Sequence, residues 1–435
     1  MSLSLSRSAC TLACALFAVV PPLHAQDAPA DTGSSARAGL PLKPERTVRI
    51  STNEGSWMSV DVSPDGKQIV FDLLGDLYLL PLEGGQARRL TSGMAYDAQP
   101  RFSPDGKKVL VLSDRSGGDN IWTIEVANGD TTQVTRGNGN AWMSPDWTPD
   151  GKYIVASKGE SRLGVVKLWI GHVDGGSGQQ LHRMPQNLKS VGAAPSPDGR
   201  YIWYARRMNS WDYNAALPQY QIWAYDRETG KDYSRTNRYG SAFRPTISPD
   251  GKWLVYGTRH EAETALRIRD LETGDERWLV YPVQRDDQES IADLDVYPGM
   301  SFTPDSRELV AYWGGKLWRV PVSDGAPREI PFQVEAEIGI GPKVAFTYPI
   351  PDSAQFTVRQ IRDAVPSPDG SKLAFTALDR LYVMDFPNGT PRRLTNTSFT
   401  EAYPTWSPDG QWIAYATWSP TGGHIMKVRT NGRGG

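Results

Sequence analysis

Cysteine is nearly absent. The 435 residues hold only Cys10 and Cys14, both inside an N-terminal stretch that reads as removable. The mature chain would then carry no thiol, which excludes disulfides, thiolate catalysis and cysteine–zinc sites. Histidine is scarce too. His24, His172, His182, His260 and His424 are the only five, and no two lie two or four residues apart. Neither a His-x-His metal pair nor a helical zinc motif can be built from them. A Gly-x-Ser-x-Gly nucleophile elbow is missing as well. The apolar run Ala9 to Val20 is too short to cross a bilayer, and no other run is long enough. Nor is there an excess of one charge: 47 Lys and Arg face 49 Asp and Glu, a net charge of −2. Electrostatics therefore gives no reason to expect nucleic acid or an anionic membrane.

What the chain has is a repeat. Ser63-Pro64-Asp65-Gly66 returns as Ser103-Pro104-Asp105-Gly106, Thr148-Pro149-Asp150-Gly151, Ser196-Pro197-Asp198-Gly199 and Ser248-Pro249-Asp250-Gly251. It returns again as Thr303-Pro304-Asp305-Ser306, Ser367-Pro368-Asp369-Gly370 and Ser407-Pro408-Asp409-Gly410, the prolines 40 to 64 residues apart. Proline presets the second position of a type I turn, Ser or Thr suits the first, and Gly accepts the left-handed closing position. After each turn come two short runs rich in Val, Ile, Leu, Trp and Tyr, for example KQIVF and then DLYLLPL. A Gly-bearing turn and a third run such as ARRLT close the unit. With the short run before the turn, each unit reads as four antiparallel strands, the signature of a propeller blade. The fold expected is all-β, a β-propeller of four-stranded antiparallel blades with eight repeat copies. The alternative is a six-bladed propeller plus the start of a second.

The flanks divide simply. Arg7, the apolar run and Leu23-His24-Ala25 predict a signal peptide over 1–25 and a periplasmic or secreted product. Residues 26–45, rich in Ala, Pro, Ser, Asp and Gly, read as a flexible linker, and 46–435 as the propeller. With eight copies the last blade lacks an outer strand, and Arg46 to Ser51 alternates without a partner. Pairing of 46–51 with His424 to Thr430 is therefore expected to close the ring.

The blades resemble the TolB-like (WD40-like PD40) propeller repeat over residues 46–435. Ser56 to Gly85 and Phe356 to Thr395 further resemble the propeller part of secreted amidohydrolases, in which a metal-dependent hydrolase barrel follows. That barrel would be absent from this chain, so the resemblance supplies no catalytic residue. It implies no cofactor, zinc entering only if a hydrolase domain follows, and it leaves enzymatic activity open.

Function is expected where the repeat is interrupted. The loop Ala205 to Gln221 carries Arg206, Arg207, Trp211 and Tyr213, and the equivalent loop of the fifth copy carries Arg259 and His260. Trp, Tyr and Arg are the side chains most enriched at binding hot spots, so these six are the candidate ligand- or partner-binding residues. The connection Tyr281 to Tyr297 is long and acidic, and Ile330 to Asp363 is longer still, with 346–351 and 356–361 as possible extra strands. All these loops should emerge on one face. The first strands would line a channel with Ser59, Gln99, Ser144, Arg244 and Asp363, and with Asp61, Arg101 and Asp146. This mixture of sign and type suits water better than a metal, and no metal site is expected. The function expected is a protein- or peptide-binding scaffold, or else the substrate-gating propeller of an amidohydrolase, with a downstream hydrolase domain as partner in that second case.

Overall fold

A computed structural model describes residues 43–161, 164–212, 216–343 and 346–432. The expected signal peptide, most of the linker and Tyr213 lie outside the described residues. Among the described residues, every regular element is a strand. The chain divides into two compact units, 1–343 and 344–435.

The repeated turn builds both units in the same way. In the first copy Ser63 Oγ donates to Asp65 Oδ1 (2.7 Å) and accepts from Gln68 N (3.1 Å), while Lys67 N donates to Asp65 Oδ1 (3.1 Å). Gly66 closes the turn at φ +68° and donates to Ser63 O (2.8 Å). The Ser or Thr hydroxyl donates to the Asp carboxylate in all seven other copies. The eight aspartates are thus used in turns.

The first unit contains six four-stranded sheets, each in simple chain order. Their innermost strands are Val60–Val62, Asp97–Phe102, Ala141–Trp147, Leu188–Pro195, Phe243–Ile247 and Ser301–Phe302, and the sheets are numbered here as blades one to six. In blades one to four the turn glycine faces the turn proline of the blade before it. A Cβ on Gly106 would lie 3.4 Å from Pro64 Cδ, and one on Gly66 would lie 3.4 Å from Pro304 Cδ. Blade one therefore follows blade six, and the ring closes at six. Val60 N donates to Gly299 O (3.0 Å) across the same junction.

The closing strand differs from the one expected. Arg46–Thr52 pairs antiparallel with Phe332–Ile340, Arg46 opposite Ile340 and Thr52 opposite Val334. It does not pair with 424–430. Phe332 and Gln333 also pair in parallel with Gly85 and Gln86 of blade one. This ribbon clasps the outside of the junction. Ile50, Phe332, Val334, Ala336 and Ile338 pack with Phe71 and Tyr78 of blade one and with Tyr312 and Leu317 of blade six. The cause is legible in 332–338, where Phe, Val, Ala and Ile alternate with Gln, Glu and Glu, a half-buried strand. Residues 346–351 and 356–361 carry no strand.

The second unit holds a four-stranded sheet, from Arg362–Pro366 to Arg392–Arg393, and a three-stranded one, from Thr400–Trp406 to Gly422–Arg429. Ala374, Leu381, Val383, Ile413, Tyr415 and Val428 form its core. Six closed blades followed by two further sheets match the six-bladed alternative.

Candidate functional site

The channel of the first unit is built from one recurrent irregularity. The residue five before each turn proline is Ser59, Gln99, Ser144, Gly192, Arg244 and Gly299. Four of these adopt left-handed backbone: Gln99 (φ +58°), Ser144 (+51°), Gly192 (+68°) and Arg244 (+52°). Strand pairing slips at each of the four, so each is the extra residue of a β-bulge. Left-handed backbone is uncommon for a side chain other than glycine and must be held by its surroundings. Here the hold comes from neighbouring blades. Asp72 accepts from Ser59 N and Gln99 N, both at 2.7 Å, and Gln99 Oε1 accepts from Ser144 N at 2.7 Å. Ser59 Oγ accepts from Gly299 N at 3.0 Å. Asp363 has the same backbone (φ +53°) and belongs to the second unit.

Charge fills the channel. Arg244 donates to Asp295 Oδ2 (2.5 Å), which also accepts from the Ser144 hydroxyl. Arg101 donates to Val60 O and Met300 O, both at 3.1 Å, and reaches Asp61 at 3.4 Å. Toward the turn-bearing mouth a cavity of about 120 Å³ is lined by Asp61, Arg101, Asp146, Arg244, Thr246 and Ser301. Burial pushes the Asp61 carboxyl up, against the pull of Arg101. It pushes Asp146 to about 6 and Asp72 to about 7, in the second case against two backbone N–H donors. Burial also lowers Arg244, although Asp295 opposes that shift. Among the described residues no group of three or more His, Cys, Asp or Glu is arranged to hold a metal ion.

The other mouth is covered by the acidic connection 281–297. Arg259 makes paired bonds to Asp286 (2.8 and 2.9 Å) and to Glu289 (both 2.9 Å). Arg207 donates to Gln288 O (3.2 Å) and Asp212 (2.6 Å). Lys189, fully buried, donates to Ile291 O and Ser210 O, and burial lowers its ammonium to about 8. The loops of blades four and five thus both bond the connection 281–297. Arg207 and Arg259, however, are engaged inside the protein and hold the connection in place. Arg206 stacks on Trp223, 3.1 Å from the ring centroid. His260 packs on Trp278 (4.6 Å) and Tyr281 (5.0 Å). Trp211 is 43% exposed. Sequence reasoning missed Asp72 and Asp295. The acidity of 281–297 pointed toward Asp295, whereas Asp72 is one polar residue in an apolar strand.

Residues 60–231 match the family described as the Tricorn protease N-terminal beta propeller domain. An uncharacterized protein of Agrobacterium fabrum is 32% identical over 183 residues, 41% of this chain and 60% of that protein. The Tol-Pal system protein TolB of Helicobacter hepaticus is 29% identical over 163 residues, 35% of this chain and 38% of that one. The matched stretch is therefore less than two thirds of either relative. The crystal structure of TolB from Acinetobacter baumannii superposes with a TM-score of 0.46 at 19% identity, covering 63% of this chain and 65% of that one. The class is thus the β-propeller, all-β and multi-bladed. Within that class, the chain is similar to TolB and to the Tricorn N-terminal propeller. Among the described residues no helix is long and apolar enough to cross a membrane, which says nothing of β-barrels.

Proposed function

We propose that this chain is a periplasmic or secreted scaffold that binds a protein or peptide on the loop-bearing face of blades four and five. The carrying observation is the set of rings exposed there on a rigid ring of blades: Trp211 at 43%, Tyr239 at 82% and Tyr281 at 41%. His260 packs on Tyr281, and Arg206 stacks on Trp223. Exposed aromatic and guanidinium groups on a preorganised surface are the usual composition of a binding hot spot. Likeness to a Tol-Pal system protein supports the reading, as does the predicted signal peptide. Arg207 and Arg259 contribute by fixing the connection beneath the face. The reading favours binding over hydrolysis because the sequence has neither a nucleophile elbow nor a spaced histidine pair. Gating for an amidohydrolase barrel remains the second form of the proposal, carried by the resemblance of Ser56 to Gly85 and Phe356 to Thr395. The test is a photo-crosslinking residue placed at Trp211 and, as control, at Lys107 on the turn-bearing face. A single protein captured from Trp211 and not from Lys107, with Trp211→Ala weakening its binding at least about tenfold, is the expected result. Equal capture at both positions contradicts the assignment.

A further inference from the structure

From the groove between blades four and five we infer that the partner docks through an extended acidic segment bearing aromatic side chains. This rests on the scaffold reading above and names the chemistry of its partner. The groove is defined by its core, where Trp203, Ile222 and Ala224 of blade four pack with Leu254 and Tyr256 of blade five. On its outer side three guanidiniums share one carboxylate. Glu276 lies 3.3 Å from Arg267, 3.7 Å from Arg269 and 4.0 Å from Arg238. A fourth, Arg235, has no carboxylate within 4 Å among the described residues. It stacks on Trp203 (5.2 Å) and Tyr233 (5.7 Å), and Arg269 donates to its carbonyl (2.7 Å). The side-chain Nε atoms of Arg235, Arg238 and Arg267 are buried without a hydrogen-bond partner. A chain whose overall charge is only −2 therefore concentrates uncompensated positive charge in one groove.

Two further features decide the occupant. Exposed rings flank the cations: Trp278, with Arg267 stacked 4.4 Å from its centroid, and Tyr233, 38% and 39% exposed. In addition, Lys231–Ser234 is the last strand of its sheet, so its outer backbone edge has no strand neighbour. An extended peptide can pair with such an edge while its carboxylates meet the guanidiniums. A polysaccharide can satisfy the charges but not the edge, which is why a protein segment is favoured.

The experiment uses the full chain and a fluorescein-labelled alternating Glu–Tyr peptide, read by anisotropy. Saturable binding that weakens with salt is expected, falling at least about tenfold in Arg238→Glu/Arg269→Glu, with Lys107→Ala on the turn-bearing face unchanged. Should the double variant fail to fold by near-ultraviolet circular dichroism, Arg269→Gln alone serves, with a smaller fall in the same direction. Equal binding by variant and parent overturns the groove. Binding of alginate, lost in the variant, with no binding of the peptide overturns the protein occupant. The two levels separate cleanly. If the protein captured through Trp211 is retained by Arg238→Glu/Arg269→Glu, the scaffold reading stands and the acidic-segment inference falls. If nothing is captured while the peptide binds through the groove, the reverse holds.

Discussion

The two units use one local code and reach different degrees of burial. In the first, the innermost strand Asp97–Phe102 is buried at all six positions. In the second, Arg362–Pro366 alternates between exposed and half-buried. The residue five before the turn proline shows the contrast most sharply. Gln99, Ser144 and Arg244 are 3%, 1% and 4% exposed, whereas Tyr403, with the same left-handed backbone, is 72% exposed. The Ser–Asp turn and the bulge are therefore local products of sequence. The channel chemistry is not, because it needs neighbouring blades that return to the start of the ring. A bulge residue becomes a channel residue only once six blades surround it.

The largest effect that should separate the units comes from the buried ion pair, which among the described residues only the first unit has. Asp295→Ala leaves Arg244 buried without its partner, and loss of one member of a buried pair costs about 3–5 kcal/mol. Hydrogen exchange resolved by mass spectrometry should show protection falling across blades three to six and unchanged over 362–429. Uniform loss in both units would mean that the local code and the ring are not separable.

Next comes the clasp. Phe332 is 5% exposed and its ring lies 5.3 Å from that of Phe71. Phe332→Ala should destabilise the first unit by about 3 kcal/mol or more, read as a lower urea midpoint. A change below about 1 kcal/mol would show that the ring closes without the ribbon.

Much of the fold was legible because its determinants are short. Turn, strand period and blade order all sit within one repeat. Closure was not, because 46–52 could alternate against several strands, and local pattern does not choose between Phe332–Ile340 and 424–430. The channel was half legible. Counting five back from each proline finds Ser59, Gln99, Ser144 and Arg244. It cannot find Asp295, which enters from a connection of unrelated sequence, or show that Arg207 and Arg259 spend their charges beneath that connection.

A pH titration sharpens the comparison. Hydrogen bonds from Ser367 and Ser371 lower the turn carboxyl of Asp369 to about 2, below the roughly 3.9 of an unfolded aspartate. Its contribution is present above about pH 4 and lost as pH falls through 2. Asp72 and Asp146 shift the other way, to about 7 and about 6. For a raised carboxyl the folded state binds more protons, so stability decreases as pH rises from about 4 to 7 and is level above that. The first unit should lose stability across this window while the second does not, and Asp146→Asn should flatten the slope. A slope of equal size in both units would sink the assignment to the channel.

The smallest effect is the one both units should share. Ser103→Ala and Ser407→Ala each remove the hydroxyl that bonds the turn aspartate, at 2.7 Å and 2.5 Å. Each should cost about 1 kcal/mol, and thermal unfolding should show similar losses. A loss several times larger in one unit would show that the turns are not equivalent.

Ring closure by Arg46–Thr52 against Phe332–Ile340 can be tested by a cross-link, since residues 26–435 contain no cysteine. Arg49 and Glu337 are register partners on the exposed side of the ribbon, and opposed residues of antiparallel strands lie within disulfide reach. In a form lacking residues 1–25, Arg49→Cys/Glu337→Cys should oxidise to an intramolecular disulfide, detected by faster migration without reductant. Arg49→Cys/Lys427→Cys should remain two thiols. A disulfide in the second pair and none in the first would contradict the six-bladed closure.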